Sequence, residues 1–176
     1  MKSSTIAIIL SFTASTIAAP YARFGNTMAK RDAVADCGTN QACVTVAQAI
    51  EGWVQSVNTV NQFLNNPTLD PQVALNAANA EPGFLSTLST TAGLDSAGTA
   101  AAQTLMTFFP GIPSLLNIAV AGEGNFAGDA VNGINDLRCN KVLTAIGDLW
   151  IAAAAAVGAD VPSRPAGPNA CPTISG

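Results

Sequence analysis

Apolar residues recur at Cys43, Val46, Ile50, Trp53, Val57, Val60 and Leu64, steps of three and four that fall on one face of a helix. The polar run Asn65-Asn66 followed by Pro67 ends it. Asp70-Pro71 is an N-cap followed by proline at the first helical position, opening a second helix through Val73, Ala77 and Ala80. Glu81-Pro82-Gly83 interrupts that pattern, which resumes at Phe84, Leu85 and Leu88, so either a kinked helix or two short ones are expected before Thr91-Ala92-Gly93.

A third helix is expected from Asp95-Ser96 through Ala101, Leu105 and Phe108, and a fourth from Pro113-Ser114 through Leu116 and Val120. Glycines thin the next stretch, yet Phe126, Ala130, Ile134 and Leu137 keep helical spacing. The last helix, Cys139 to Val157, repeats apolar residues at Val142, Ile146, Leu149 and Ala153, with Gly158 as its cap. Residues 158–176, with Pro162, Pro165, Pro168 and Pro172, form an extended arm that only Cys171 could pin. No stretch alternates convincingly, so the predicted fold is an all-α, disulfide-stabilised bundle of five or six helices.

The first residues change the picture of what folds. Lys2, the apolar run Ile6 to Phe12 and the small residues Ala14 to Ala19 have the layout of a secretory signal peptide over 1–19. Lys30-Arg31 resembles a kexin-type processing site, which makes 20–31 a pro-segment and 32–176 a single helical domain starting at Asp32. That domain keeps three cations, Arg138, Lys141 and Arg164, against eleven acids. Such a balance disfavours nucleic acid and anionic membranes as partners. The longest later apolar run, Leu149 to Val157, is too short to span a bilayer, so no membrane span is expected. Secretion to the medium or the cell wall follows, with oligomeric state open.

Four cysteines in an oxidising compartment allow three pairings. Cys43 and Cys139 both sit in the first turn of a core-facing helix, and Cys37 and Cys171 lie in the terminal arms. The expected bridges are therefore Cys43–Cys139 and Cys37–Cys171, with the first and last long helices side by side from one end; the rival is Cys37–Cys43 with Cys139–Cys171. The spacing holds no metal knuckle, and the chain has no histidine, the commonest general base and metal ligand.

The remaining chemistry is sparse. Gly122-Glu123-Gly124-Asn125-Phe126-Ala127 matches the dinucleotide fingerprint only in letters, because the strand it must follow is missing. No cofactor is expected. Glu81 is the best placed of the three glutamates, between Ala80 and Pro82, although its bland reading is an exposed residue at a helix break. Asp129 and Asp136 share a helix face without a calcium loop. Without histidine a nucleophilic serine would need Lys141, so an enzyme is not expected. Trp53 and Trp150 are core residues first, and Trp53, Phe84, Phe108 and Trp150 are the candidates to line an apolar ligand.

The chain resembles the small secreted helical proteins of filamentous fungi. The likeness lies in the Cys43 to Leu64 helix with Trp53 and its Val57-Asn58-Thr59-Val60-Asn61-Gln62-Phe63-Leu64 ending, in Glu81-Pro82 followed by Leu85 and Leu88, and in Arg138-Cys139. In outline it is also similar to fungal hydrophobic-surface-binding and cell-wall mannoprotein helical domains. The resemblance transfers no catalytic residue. It implies a secreted binding protein for a lipid-like molecule or apolar surface, or alternatively an effector or wall protein acting through protein contacts.

Overall fold

The computed structural model describes residues 37–122, 126–160 and 162–171, and these are all-helical, without strands, and carry two disulfides. The segments expected to be a signal peptide and a pro-segment ending at Lys30-Arg31, and Glu123, lie outside the described residues. Helix α1 spans Gln41–Asn65, α2 Pro71–Ser89, α3 Ser96–Phe108, α4 Gly111–Ala121, α5 Phe126–Leu137 and α6 Leu143–Val157.

The caps explain the boundaries. Asn40 accepts hydrogen bonds from the amides of Ala42 and Cys43, Asp70 from Gln72 and Asp95 from Gly98, each satisfying first-turn donors. Gly122 and Gly158 end α4 and α6 in the left-handed region, at φ 65° and 72°. Pro82 does not split α2: the ring is exposed, so one amide bond is lost while Glu81, Leu85 and Leu88 stay buried on the other face.

No turn separates α5 from α6. Arg138–Val142 form a π-helical turn that joins them into one helical stretch. Ile134, Arg138, Val142 and Ile146, four apart, are all fully buried. Steps of four drift around an ordinary helix of 3.6 residues per turn, and a π-turn absorbs that drift.

Helix directions follow from specific contacts. Trp53 meets Glu81 and Gly52 meets Phe84, so α1 and α2 form an antiparallel hairpin. Gly98 of α3 abuts Ala152 of α6, while Gly133 of α5 sits under Leu115 of α4. At the start of α1, Asn40 Nδ2 donates to Val157 O at the end of α6, at 3.3 Å. At the other end, Asn61 contacts Arg138. The first and last long helices are thus antiparallel.

That arrangement overturns the expected bridges. Cys43 starts α1 beside the end of α6, whereas Cys139 precedes α6, some 18 residues or about 27 Å of helix away. The bonds are Cys37–Cys43 and Cys139–Cys171, with Cα separations of 5.4 and 5.2 Å. Gly38, at φ 55°, makes the tight turn that brings Cys37 back to the first turn of α1.

Residues 162–171 return along α6 and are held by more than Cys171. Arg164 pairs with Asp148 at 2.6 Å, Asn61 Nδ2 donates to Ala166 O at 2.8 Å, and the Asn169 amide donates to Asn65 Oδ1 at 2.6 Å. Pro165 and Pro168 are buried, and the chain passes so close to Gly147 that a Cβ there would lie 3.1 Å from Arg164.

Candidate functional site

Trp53, Phe84 and Trp150 converge in the core. The rings of Trp53 and Trp150 meet edge-on at 6.1 Å, and Phe84 stacks against Trp53 at 6.4 Å over Gly52. Phe108 lies apart, at the surface, with the Lys141 ammonium 6.0 Å from its ring centre.

Beside the tryptophans is a buried polar cluster. Trp53 Nε1 donates to Glu81 Oε2 at 2.7 Å. Arg138 Nη2 donates to Asn61 Oδ1 at 3.0 Å and to Val57 O at 3.4 Å. Between the two charged groups, Arg138 Nη1 and Glu81 Oε1 are 3.8 Å apart, too far for a hydrogen bond, and each is without a hydrogen-bond partner. Both side chains have no solvent exposure.

Burial drives the Glu81 carboxyl from 4.5 up to about 7, although the attraction of Arg138 and the Trp53 hydrogen bond pull it down. The same burial lowers the Arg138 pKa, with Glu81 opposing. Glu81 is therefore not the exposed residue of a helix break. Proline exposes its own ring while the preceding residue faces α1.

A groove of about 550 Å³ opens at the other end of the α1–α2 hairpin. Asn40, Thr45 and Val46 of the α1 end, Thr87, Thr90 and Thr91 of the α2 end, and Ala156 and Val157 of α6 border it, and no lining residue is charged or aromatic. The Thr45 hydroxyl donates to Gln41 O, Thr87 to Gly83 O and Thr90 to Ser86 O, at 2.9 to 3.1 Å. With those hydrogens committed to the helix backbone, the oxygens offer lone pairs to the groove.

None of Trp53, Phe84, Phe108 and Trp150 borders this groove. Large rings are worth most when wholly buried, and the tryptophans are spent on the core. The hydroxyl-rich run Ser86-Thr87-Leu88-Ser89-Thr90-Thr91 is the sequence signal for the groove wall. Arg138 was legible too, as a cation in step with Ile134, Val142 and Ile146.

Asp129 and Asp136 are exposed, Asp136 accepting from Asn140 at 2.6 Å. No group of His, Cys, Asp or Glu among the described residues could hold a metal. Compared with family models, curated proteins and solved structures, the chain matches none.

Proposed function

We propose that this is a secreted, non-enzymatic binding protein that holds an uncharged, mainly aliphatic molecule in the groove between α1, α2 and α6. One observation carries the reading: a space of about 550 Å³, within the range of small-molecule sites, bounded by small apolar groups, threonine hydroxyls and the carboxamides of Asn40 and Gln41, without a charge. Such a lining leaves ions poorly solvated and offers no aromatic platform on which a sugar ring could stack. It suits an alkyl body with a hydroxyl that donates to a threonine oxygen, as in a long-chain alcohol or a sterol.

Secretion belongs to the same proposal. Two disulfides are compatible with an extracellular protein, and the expected signal peptide and processing site at Lys30-Arg31 supply the route. We read the helices as one bundle strapped by the Pro-rich segment. Residues 96–121 and 127–157 are long and apolar enough to cross a membrane; 56% of the most apolar window of the latter is buried inside the fold, and 28% of that of the former. Both are here assigned to the bundle.

Native mass spectrometry of the full secreted chain with dodecanol and with ergosterol tests the proposal. A one-to-one complex is expected, weakened at least about tenfold, or roughly 1.4 kcal/mol, by Thr45→Trp at an exposed position of the groove wall. Absence of any complex, or binding that Thr45→Trp leaves unchanged, refutes the groove.

A second reading, contact with another protein, rests on α3 and α4. Residues 96–121 contain no ionisable group and expose Met106 and Ile118 at 56% and 43%. Binding that Met106→Ser with Ile118→Ser abolishes, and Thr45→Trp spares, would favour this reading.

A further inference from the structure

We propose that α1 and α6 form a recognition cradle for an extended peptide with proline at every third position. Residues 162–171 occupy it in cis, locked by the Cys139–Cys171 bridge, and a peptide of the same spacing on another molecule takes it once the bridge is opened. The inference does not depend on what the groove holds.

The segment Pro162-Ser163-Arg164-Pro165-Ala166-Gly167-Pro168-Asn169-Ala170-Cys171 contains no large aliphatic or aromatic side chain, so it is not held as core is. Its inward positions recur in threes instead. Pro165 and Pro168 are buried and Pro162 and Cys171 half-buried, while of the positions between them all but Gly167 are exposed. Three residues per turn is the period of the polyproline helix, which keeps every third ring on one side. Proline fixes φ at about −65° in advance, so less chain entropy is lost on docking.

The helices read the backbone of the segment. Asn61 Nδ2 donates to Ala166 O at 2.8 Å, and the Asn169 amide donates to Asn65 Oδ1 at 2.6 Å. Two carboxamides one turn apart on α1 thus meet backbone groups of residues three apart on the segment. On α6, Gly147 lowers the floor: a Cβ there would lie 3.2 Å from Pro165 Cδ. The adjacent Asp148 pairs with Arg164 at 2.6 Å, which sets direction and register. Backbone hydrogen bonds give an extended-peptide site its affinity, and places for alternate side chains give it specificity.

The lock is open to chemistry. Cys139 and Cys171 are half-buried, whereas Cys37 and Cys43 are 7% and 2% exposed, so an external thiol reaches the Cys139–Cys171 bridge first. Two such thiols reduce it: the Sγ–Sγ bond breaks, Cys139 and Cys171 each gain an electron and a proton, and the two external sulfurs couple to a disulfide. The tethered segment keeps a local concentration on the order of millimolar, so a competing peptide must be supplied in that range.

The test uses the full chain carrying Cys139→Ser, Cys171→Ser, Pro165→Ser and Pro168→Ser, which has no lock and a weakened resident segment. A fluorescent synthetic peptide of residues 162–170 should bind it saturably, one to one. The same peptide with Pro165→Ser and Pro168→Ser should bind at least about tenfold more weakly. Adding Asp148→Lys to the chain should weaken binding of the first peptide, and a peptide with Arg164→Glu should restore it. Absence of saturable binding, equal binding of the two peptides, or no rescue by the reversed charges overturns the proposal. Should that chain not fold, wild type in dithiothreitol takes its place: millimolar peptide should speed hydrogen exchange at the Asn169 amide, and unchanged exchange overturns the proposal equally.

Discussion

At the scale of single residues, the Glu81–Arg138 pair shows how burial reverses an ordinary expectation about charges. Two opposite charges without solvent exposure lose much of their hydration, and a separation of 3.8 Å without a hydrogen bond recovers only part of it. Removing one partner is worse than removing both, since it strands the other. Arg138→Met at pH 8 should therefore destabilise the fold by about 3–5 kcal/mol. The double change Arg138→Met with Glu81→Met should cost less than Arg138→Met alone. Chemical denaturation of the two variants measures the difference, and equal costs would show that the guanidinium contributes by packing.

Between elements, spacing is set by glycines that admit a neighbour. A Cβ on Gly98 would fall 2.6 Å from Ala152 Cβ, so α3 rides against α6 at a distance only glycine permits. Gly98→Ala should destabilise by about 1–3 kcal/mol through forced separation of the two helices. A methyl added at Gly83, in α2, would meet nothing within 4 Å, and there the effect is on backbone freedom alone. Gly83→Ala should stabilise by about 0.5–1 kcal/mol. Opposite shifts in urea midpoint distinguish a packing glycine from an entropic one.

For the whole molecule, the two disulfides do unequal work. Cys37–Cys43 closes a short loop at a sequence separation of 6, whereas Cys139–Cys171 spans 32 and fastens the tail beside the π-turn. The chain-entropy model assigns about 2 kcal/mol to the first and about 4 kcal/mol to the second. Replacing Cys139 and Cys171 by Ser should lower the melting temperature more than replacing Cys37 and Cys43, and should expose 162–171 to protease. The bonds from Asn61 and Asn65 and the Arg164–Asp148 pair would still restrain that segment, so its cleavage should be slower than that of an unfolded chain.

Much of the local structure was determined by the sequence itself. The steps of three and four from Cys43 to Leu64, the caps at Asp70, Asp95 and Gly158, and the absence of alternation settle the all-helical character of the described residues, because they act through the backbone of one or two turns. What lay beyond that reach was decided by tertiary structure. Which end of α6 meets α1 chose the disulfides, and no spacing along the chain records a direction between helices. Glu81 looked like a surface residue at a proline because the proline's effect is local, while its burial depends on Trp53 and Arg138, 28 and 57 positions away. The groove is in the same class: the threonines of α2 were visible as a run, but they form a wall only where the ends of three helices diverge.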